Sequence, residues 1–143
     1  MNILVINGPN LNMLGIRESD VYGQKTYKDL IQYIKNQTKD KEVKVKFYQS
    51  NHEGKLIDYL QKHYLKIDGI VINPGALTHY SFALRDCLLS IQKPTIEVHL
   101  SNINEREDFR KISVIKDVVH KTIIGLGFEG YLQAINQLMK VIK

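Results

Sequence analysis

Residues 96–101 read Ile-Glu-Val-His-Leu-Ser, a short apolar run interrupted by a carboxylate and an imidazole. Side chains of a strand alternate between its two faces, so Glu97 and His99 share one side while Ile96, Val98 and Leu100 take the other. This spacing sets an acid beside a titratable base. In a parallel sheet covered on both faces, strand interiors are nearly all apolar, and a charged pair belongs where the strand runs out into a crevice. The pair reads as part of a site, although these six residues alone also fit an ordinary solvated strand end.

Working outward, residues 3–6 (Ile-Leu-Val-Ile) form a buried strand stopped by Asn7-Gly8-Pro9-Asn10. The next helical stripe is Tyr27, Leu30, Ile31 and Ile34. That leaves residues 8–25 as a long loop, the length of an active-site lid or binding segment, carrying Asn10, Asn12, Arg17 and Tyr22-Gly23. A disordered connection in which Tyr22 merely packs fits the same composition. A strand over 43–48 follows, then a helix capped by Ser50-Asn51 with Leu56, Ile57 and Leu60 inward. A strand over 68–73 stops at Pro74-Gly75.

Thr78 is the expected cap of a third helix running to about Ser90. His79 then falls in its first turn, where the helix dipole favours the neutral ring; an unpartnered surface histidine is the alternative. After the central strand, the polar residues of 102–111 read as a short solvated helix whose arginines could reach a ligand beside His99. A strand over 122–124 leads into a last helix from about Tyr131, with Leu132, Ile135, Met139 and Ile142 inward. Gly125-Leu126-Gly127-Phe128-Glu129-Gly130 matches G-x-G-x-x-G, but the chain ends before the second strand and acidic residue a dinucleotide site needs, so these glycines are read as structural.

Five strands alternating with helices give the α/β class: a parallel sheet covered on both faces, joined by right-handed crossovers. The polar clusters at 7–22, 73–79 and 97–110 all follow strands and should meet at the C-terminal edge of the sheet. At 143 residues, 43% hydrophobic and 24% charged, the chain reads as one domain over 1–143. It has no run able to span a bilayer and opens directly into a strand, so a cytoplasmic location is expected. Cys87 is the only cysteine and sits in the apolar stripe Leu84, Leu88, Ile91, which excludes an intrachain disulfide and a multi-cysteine metal site. The net charge of +5 is scattered, and fits a small anionic substrate as well as a nucleic acid.

The polar segments together resemble a known family. They are Asn7-Gly8-Pro9-Asn10-Leu11-Asn12, Arg17, Tyr22-Gly23, Ser50-Asn51, Glu53-Gly54, Asn73-Pro74-Gly75-Ala76, Thr78-His79, Arg85-Asp86, residues 96–102, residues 106–110 and Gly130-Tyr131. In order and spacing they resemble the type II 3-dehydroquinate dehydratases. The resemblance implies a flavodoxin-like three-layer sandwich assembled as a dodecamer, a tetramer of trimers, using no metal, nucleotide or Schiff-base lysine. The reaction removes a proton beside a ketone and expels a β-hydroxyl as water, which takes a base, an enolate stabiliser and an acid.

By resemblance Tyr22 is the base, as a tyrosinate, and Arg17 is the cation that lowers its pKa by roughly 1 to 3 units. Asn10 holds the enolate oxygen, directly or through a water. His99 is the general acid, oriented by Glu97. Asn73, Ser101 and the backbone N–H groups of Leu100 and Ser101 hold the substrate carboxylate, and Arg110, His79 and Asp86 take ring hydroxyls. Seven residues of helix separate His79 from Asp86, about 10 Å along its axis, so Asp86 is expected to serve a neighbouring subunit's site. Residues 116–121 are bulkier and more charged than the family pattern. The rival class is a binding module without turnover, such as a receiver domain, but the acidic positions of a receiver are here Asn7, Gly8 and Asn73.

Overall fold

The computed structural model describes residues 1–16 and 25–142. Its strands are β1 (Asn2–Asn7), β2 (Lys44–Gln49), β3 (Gly69–Asn73), β4 (Thr95–His99) and β5 (Lys121–Ile124), and its α-helices are α1 (Tyr27–Thr38), α2 (Glu53–His63), α3 (Phe82–Ile91) and α4 (Phe128–Ile142). All strand pairs are parallel, in the order β2-β1-β3-β4-β5. This is the flavodoxin-like order, in which the connections reverse direction between β1 and β3 and open a crevice at the strands' C-terminal ends.

Period-two alternation sorts the core into two layers. Ile3, Val5, Val71, Ile96 and Val98 pack against Leu30 and Ile34 of α1 and Tyr131, Ala134, Ile135 and Leu138 of α4. Leu4, Ile6, Ile70 and Ile72 point the other way, onto Leu56 and Leu60 of α2 and Leu84, Leu88 and Ile91 of α3. Cys87 belongs to this second layer, as expected, and burial pushes its thiol pKa up. The two loops that wall the crevice touch at two glycines. A Cβ on Gly8 would lie 2.3 Å from the Pro74 carbonyl oxygen, and Gly75, at φ +60°, would set one 2.8 Å from that of Pro9.

Several local expectations are corrected. Thr78 does not cap the third helix: residues Gly75–His79 form a 3₁₀ turn, and α3 starts later, with Ser81 Oγ accepting from Leu84 N–H at 3.0 Å. His79 therefore ends a 3₁₀ turn and is not at the positive end of an α-helix. Ser50 and Asn51 do not cap α2 either, since its N-cap is His52. Residues 102–111 form two short 3₁₀ turns, Ile103–Glu105 and Asp108–Lys111, in place of one helix. The last helix begins at Phe128, before the expected Tyr131. Ile135 is buried and Met139 and Ile142 pack against the core as expected, but the fully buried face also takes in Tyr131, Ala134 and Leu138, and Leu132 is not among its core residues.

Candidate active site

A cavity opens at the C-terminal edge of the sheet. It is lined by Asn10 from the loop after β1, Asn73, Gly75 and His79 from β3 and its turn, and His99, Leu100 and Ser101 at the end of β4, with Arg106 and Arg110 closing one side. Eight of the notable groups expected from sequence are thus divided as follows: Asn10, Asn73, His79, His99, Leu100, Ser101 and Arg110 meet in one place, while Glu97 stands just behind them. Arg17 and Tyr22 lie outside the described residues. Asp86 is exposed on α3 and does not reach the cavity.

Glu97 is fully buried, one residue pair behind the strand end, and not at the crevice itself. A carboxylate in a dry interior is stable only when its lone pairs are filled. Here they are: Thr78 Oγ1 donates to Oε2 at 2.5 Å, Ser113 Oγ to Oε1 at 2.8 Å, Thr122 Oγ1 to Oε1 at 3.3 Å, and His99 Nε2 lies 2.5 Å from Oε2. Burial pushes the Glu97 pKa up, but the His99 hydrogen bond and charge, with the bonds from Thr78 and Ser113, outweigh it and hold the group below the ordinary carboxylate range. An ionised carboxylate can only accept, so Nε2 of His99 carries a proton. The ring is thereby pinned at the wall of the cavity that His99 lines.

His79 is fixed by similar logic. Its Nδ1 lies 2.6 Å from the Ile112 carbonyl oxygen, which can only accept, so Nδ1 bears the proton and Nε2 of the neutral ring is an acceptor. Burial, followed by the nearby charges of His99 and Arg110, outweighs that bond and lowers its pKa. The expected neutral histidine is present, for a reason other than a helix dipole. Arg110 is held by an ion pair with Glu107 and lies 4.8 Å over the Phe109 ring.

Asn10 adopts a left-handed conformation, φ 72°, with its N–H bonded to Asn51 Oδ1 at 2.9 Å. Sequence reading missed the groups that fill Glu97, because Thr78, Ser113 and Thr122 lie 19, 16 and 25 residues from it and each looks locally like a cap or surface hydroxyl. Among the described residues no cluster of three or more His, Cys, Asp or Glu could hold a metal ion, and no helix is long and apolar enough to cross a membrane.

Comparisons with known proteins converge on one family. A family model described as class II dehydroquinase matches residues 1–139. The chain is 52% identical over 141 residues to a 3-dehydroquinate dehydratase of Thermotoga neapolitana, covering 99% of this chain and 96% of that one. It is 51% identical over 142 residues to the 3-dehydroquinate dehydratase of Clostridium acetobutylicum, covering 99% of each. Among solved structures, the type II dehydroquinase of Butyrivibrio crossotus superposes with a TM-score of 0.95 at 55% identity, over 97% of both chains. That of Propionibacterium acnes gives 0.92 at 39%, over 97% and 96%.

Proposed function

The chain belongs to the class II dehydroquinase family and dehydrates 3-dehydroquinate to 3-dehydroshikimate, a step of the shikimate pathway; from that premise we propose how its residues divide the work. Tyr22, as tyrosinate beside Arg17, removes the proton next to the ketone. Asn10 steadies the enolate oxygen. His99 protonates the departing hydroxyl, and Glu97 keeps its ring in place without touching substrate. Asn73, Ser101 and the N–H groups of Leu100 and Ser101 receive the substrate carboxylate, while His79, through its accepting Nε2, and Arg110 take ring hydroxyls.

The observation that carries this assignment is the His99–Glu97 pair: a buried, fully satisfied carboxylate 2.5 Å from an imidazole that lines the cavity. The pair fixes the ring's orientation, and with Nε2–H committed to Glu97 the proton given to the leaving hydroxyl is the second one, carried on Nδ1 of the imidazolium, which is what elimination needs. A binding module without turnover is not favoured, since every relative named above is a dehydratase or dehydroquinase.

The finer part of the proposal is the assembly, a dodecamer built as a tetramer of trimers in the cytoplasm, with Asp86 completing a neighbour's site. Its support is that Asp86 stands away from its own cavity on a helix that also exposes Phe82 and Leu89. The experiment is a continuous ultraviolet assay of the conjugated enone formed from 3-dehydroquinate. Tyr22→Phe should lower kcat by several orders of magnitude with little change in KM. A variant that keeps about a tenth of wild-type kcat removes Tyr22 from the role of base.

A further inference from the structure

Asn7 and Asn73 occupy the same level on paired strands, in register across β1 and β3. Both are odd-numbered positions of their strands, on the face that carries Val5 and Val71 toward α1 and α4. Between them stands the hydroxyl of Tyr131, from the glycine-flanked stretch that opens α4 and that neither a dinucleotide site nor the chemistry above explains. Tyr131 and Asn7 are 0% exposed and Asn73 is 4% exposed, so none of the three has water as a ready alternative partner.

The hydrogen bonds run in one direction. Gly75 N–H donates to Asn73 Oδ1 at 3.1 Å, Asn73 Nδ2 to the Tyr131 hydroxyl at 2.9 Å, that hydroxyl to Asn7 Oδ1 at 2.6 Å, and Asn7 Nδ2 to the Tyr27 hydroxyl at 3.3 Å. A backbone N–H cannot reverse its role. Turning the Asn73 amide over would set Nδ2 against the Gly75 N–H, donor against donor, in a place where an unmade bond is costly. Gly75 at one end and Tyr131 at the other therefore hold the amide in one of its two orientations.

We infer that Tyr131 is a positioning residue for substrate binding: by taking one Nδ2 hydrogen of Asn73, it leaves the second as a fixed donor to the cavity. Asn73 then presents an N–H donor of fixed direction, which suits a carboxylate oxygen at that point of the ligand. This rests on the proposed contact between Asn73 and the substrate carboxylate. The Tyr131 hydroxyl itself never meets the ligand.

The test is a double-mutant cycle read in KM and kcat, with thermal melts confirming that each variant is folded. Tyr131→Phe, which removes only the hydroxyl, should raise KM about tenfold and leave kcat within about twofold, because a donor to the carboxylate binds ground state and transition state alike. Asn73→Ala should raise KM at least as far, and adding Tyr131→Phe to it should change KM no further. A folded Tyr131→Phe with wild-type KM beside an impaired Asn73→Ala overturns the inference and leaves the Asn73 contact standing, as does additivity in the double variant. A wild-type KM in Asn73→Ala overturns the contact itself and the inference with it. If Tyr131→Phe does not fold, Asn7→Ala removes the acceptor of its proton and frees the O–H to turn against Asn73 Nδ2; the same rise in KM is expected, and an unchanged KM overturns the inference.

Discussion

At the scale of the residue, the site is a problem of burying a charge. Removing Glu97 from water is unfavourable by itself, and three hydroxyls and an imidazole offset it. His99→Ala should abolish dehydration as followed at the enone absorbance. Glu97→Gln keeps the shape but turns an acceptor-only group into one with an NH₂, so the ring loses its anchor while its nitrogens survive. Its kcat should fall less than that of His99→Ala, where loss of the general acid costs at least about 10² to 10⁴-fold, and the reverse ranking would remove His99 from the role of acid. Ser113→Ala leaves one donor fewer on a buried carboxylate and should lower the free energy of unfolding in urea by about 1 to 3 kcal/mol; an unchanged midpoint would mean that Thr78 and Thr122 suffice.

At the scale of the element, helix starts and turns place these side chains. α1 is fixed by a reciprocal cap: Thr26 Oγ1 accepts from Asp29 N–H at 3.2 Å and Asp29 Oδ2 from Thr26 N–H at 3.0 Å. Thr26→Ala should destabilise the fold by about 1 kcal/mol, measured by chemical denaturation. The turn after β3 is less tolerant. Gly75 at φ +60° carries the N–H that orients Asn73 and passes 2.8 Å, at its missing Cβ, from the Pro9 carbonyl. Gly75→Ala should therefore disturb both crevice loops, raising KM together with a loss of stability; a variant altered in neither would show that the loops have room to part.

At the scale of the whole molecule, stability should depend on pH in a definite sense. Glu97 and His79 both have folded pKa values below their ordinary 4.5 and 6.5. The unfolded chain thus binds protons more readily, and stability falls as pH falls. The contribution of His79 is present above about 6.5 and lost as pH drops through its lowered value, while that of Glu97 persists until more acid conditions. Melting temperature should decline from pH 7 to pH 4, and His79→Gln should flatten the upper part of that decline; a melting temperature that rises on acidification contradicts both. Shared sites are tested by refolding Tyr22→Phe and Asp86→Ala together. Hybrids that regain activity support Asp86 acting across subunits, and inactive hybrids exclude it.

The sequence by itself determined the architecture and which segments meet at the C-terminal edge of the sheet. Alternation placed Glu97 beside His99 and sorted Val5 from Ile6, and turns after each strand carried Asn10, Asn73, His79 and Arg110 to one edge, since both follow from periods of two and 3.6 residues along the chain. What only the tertiary structure decided is which partner each polar group takes. Thr78 looks like a helix cap until Glu97, 19 residues on, claims its hydroxyl, and Ser81 becomes the cap. Tyr131 looks like a helical core residue until its hydroxyl meets Asn7, 124 residues away. Such choices are settled by the cost of leaving a buried donor or acceptor unpaired, a cost that exists only once the layers have closed over them.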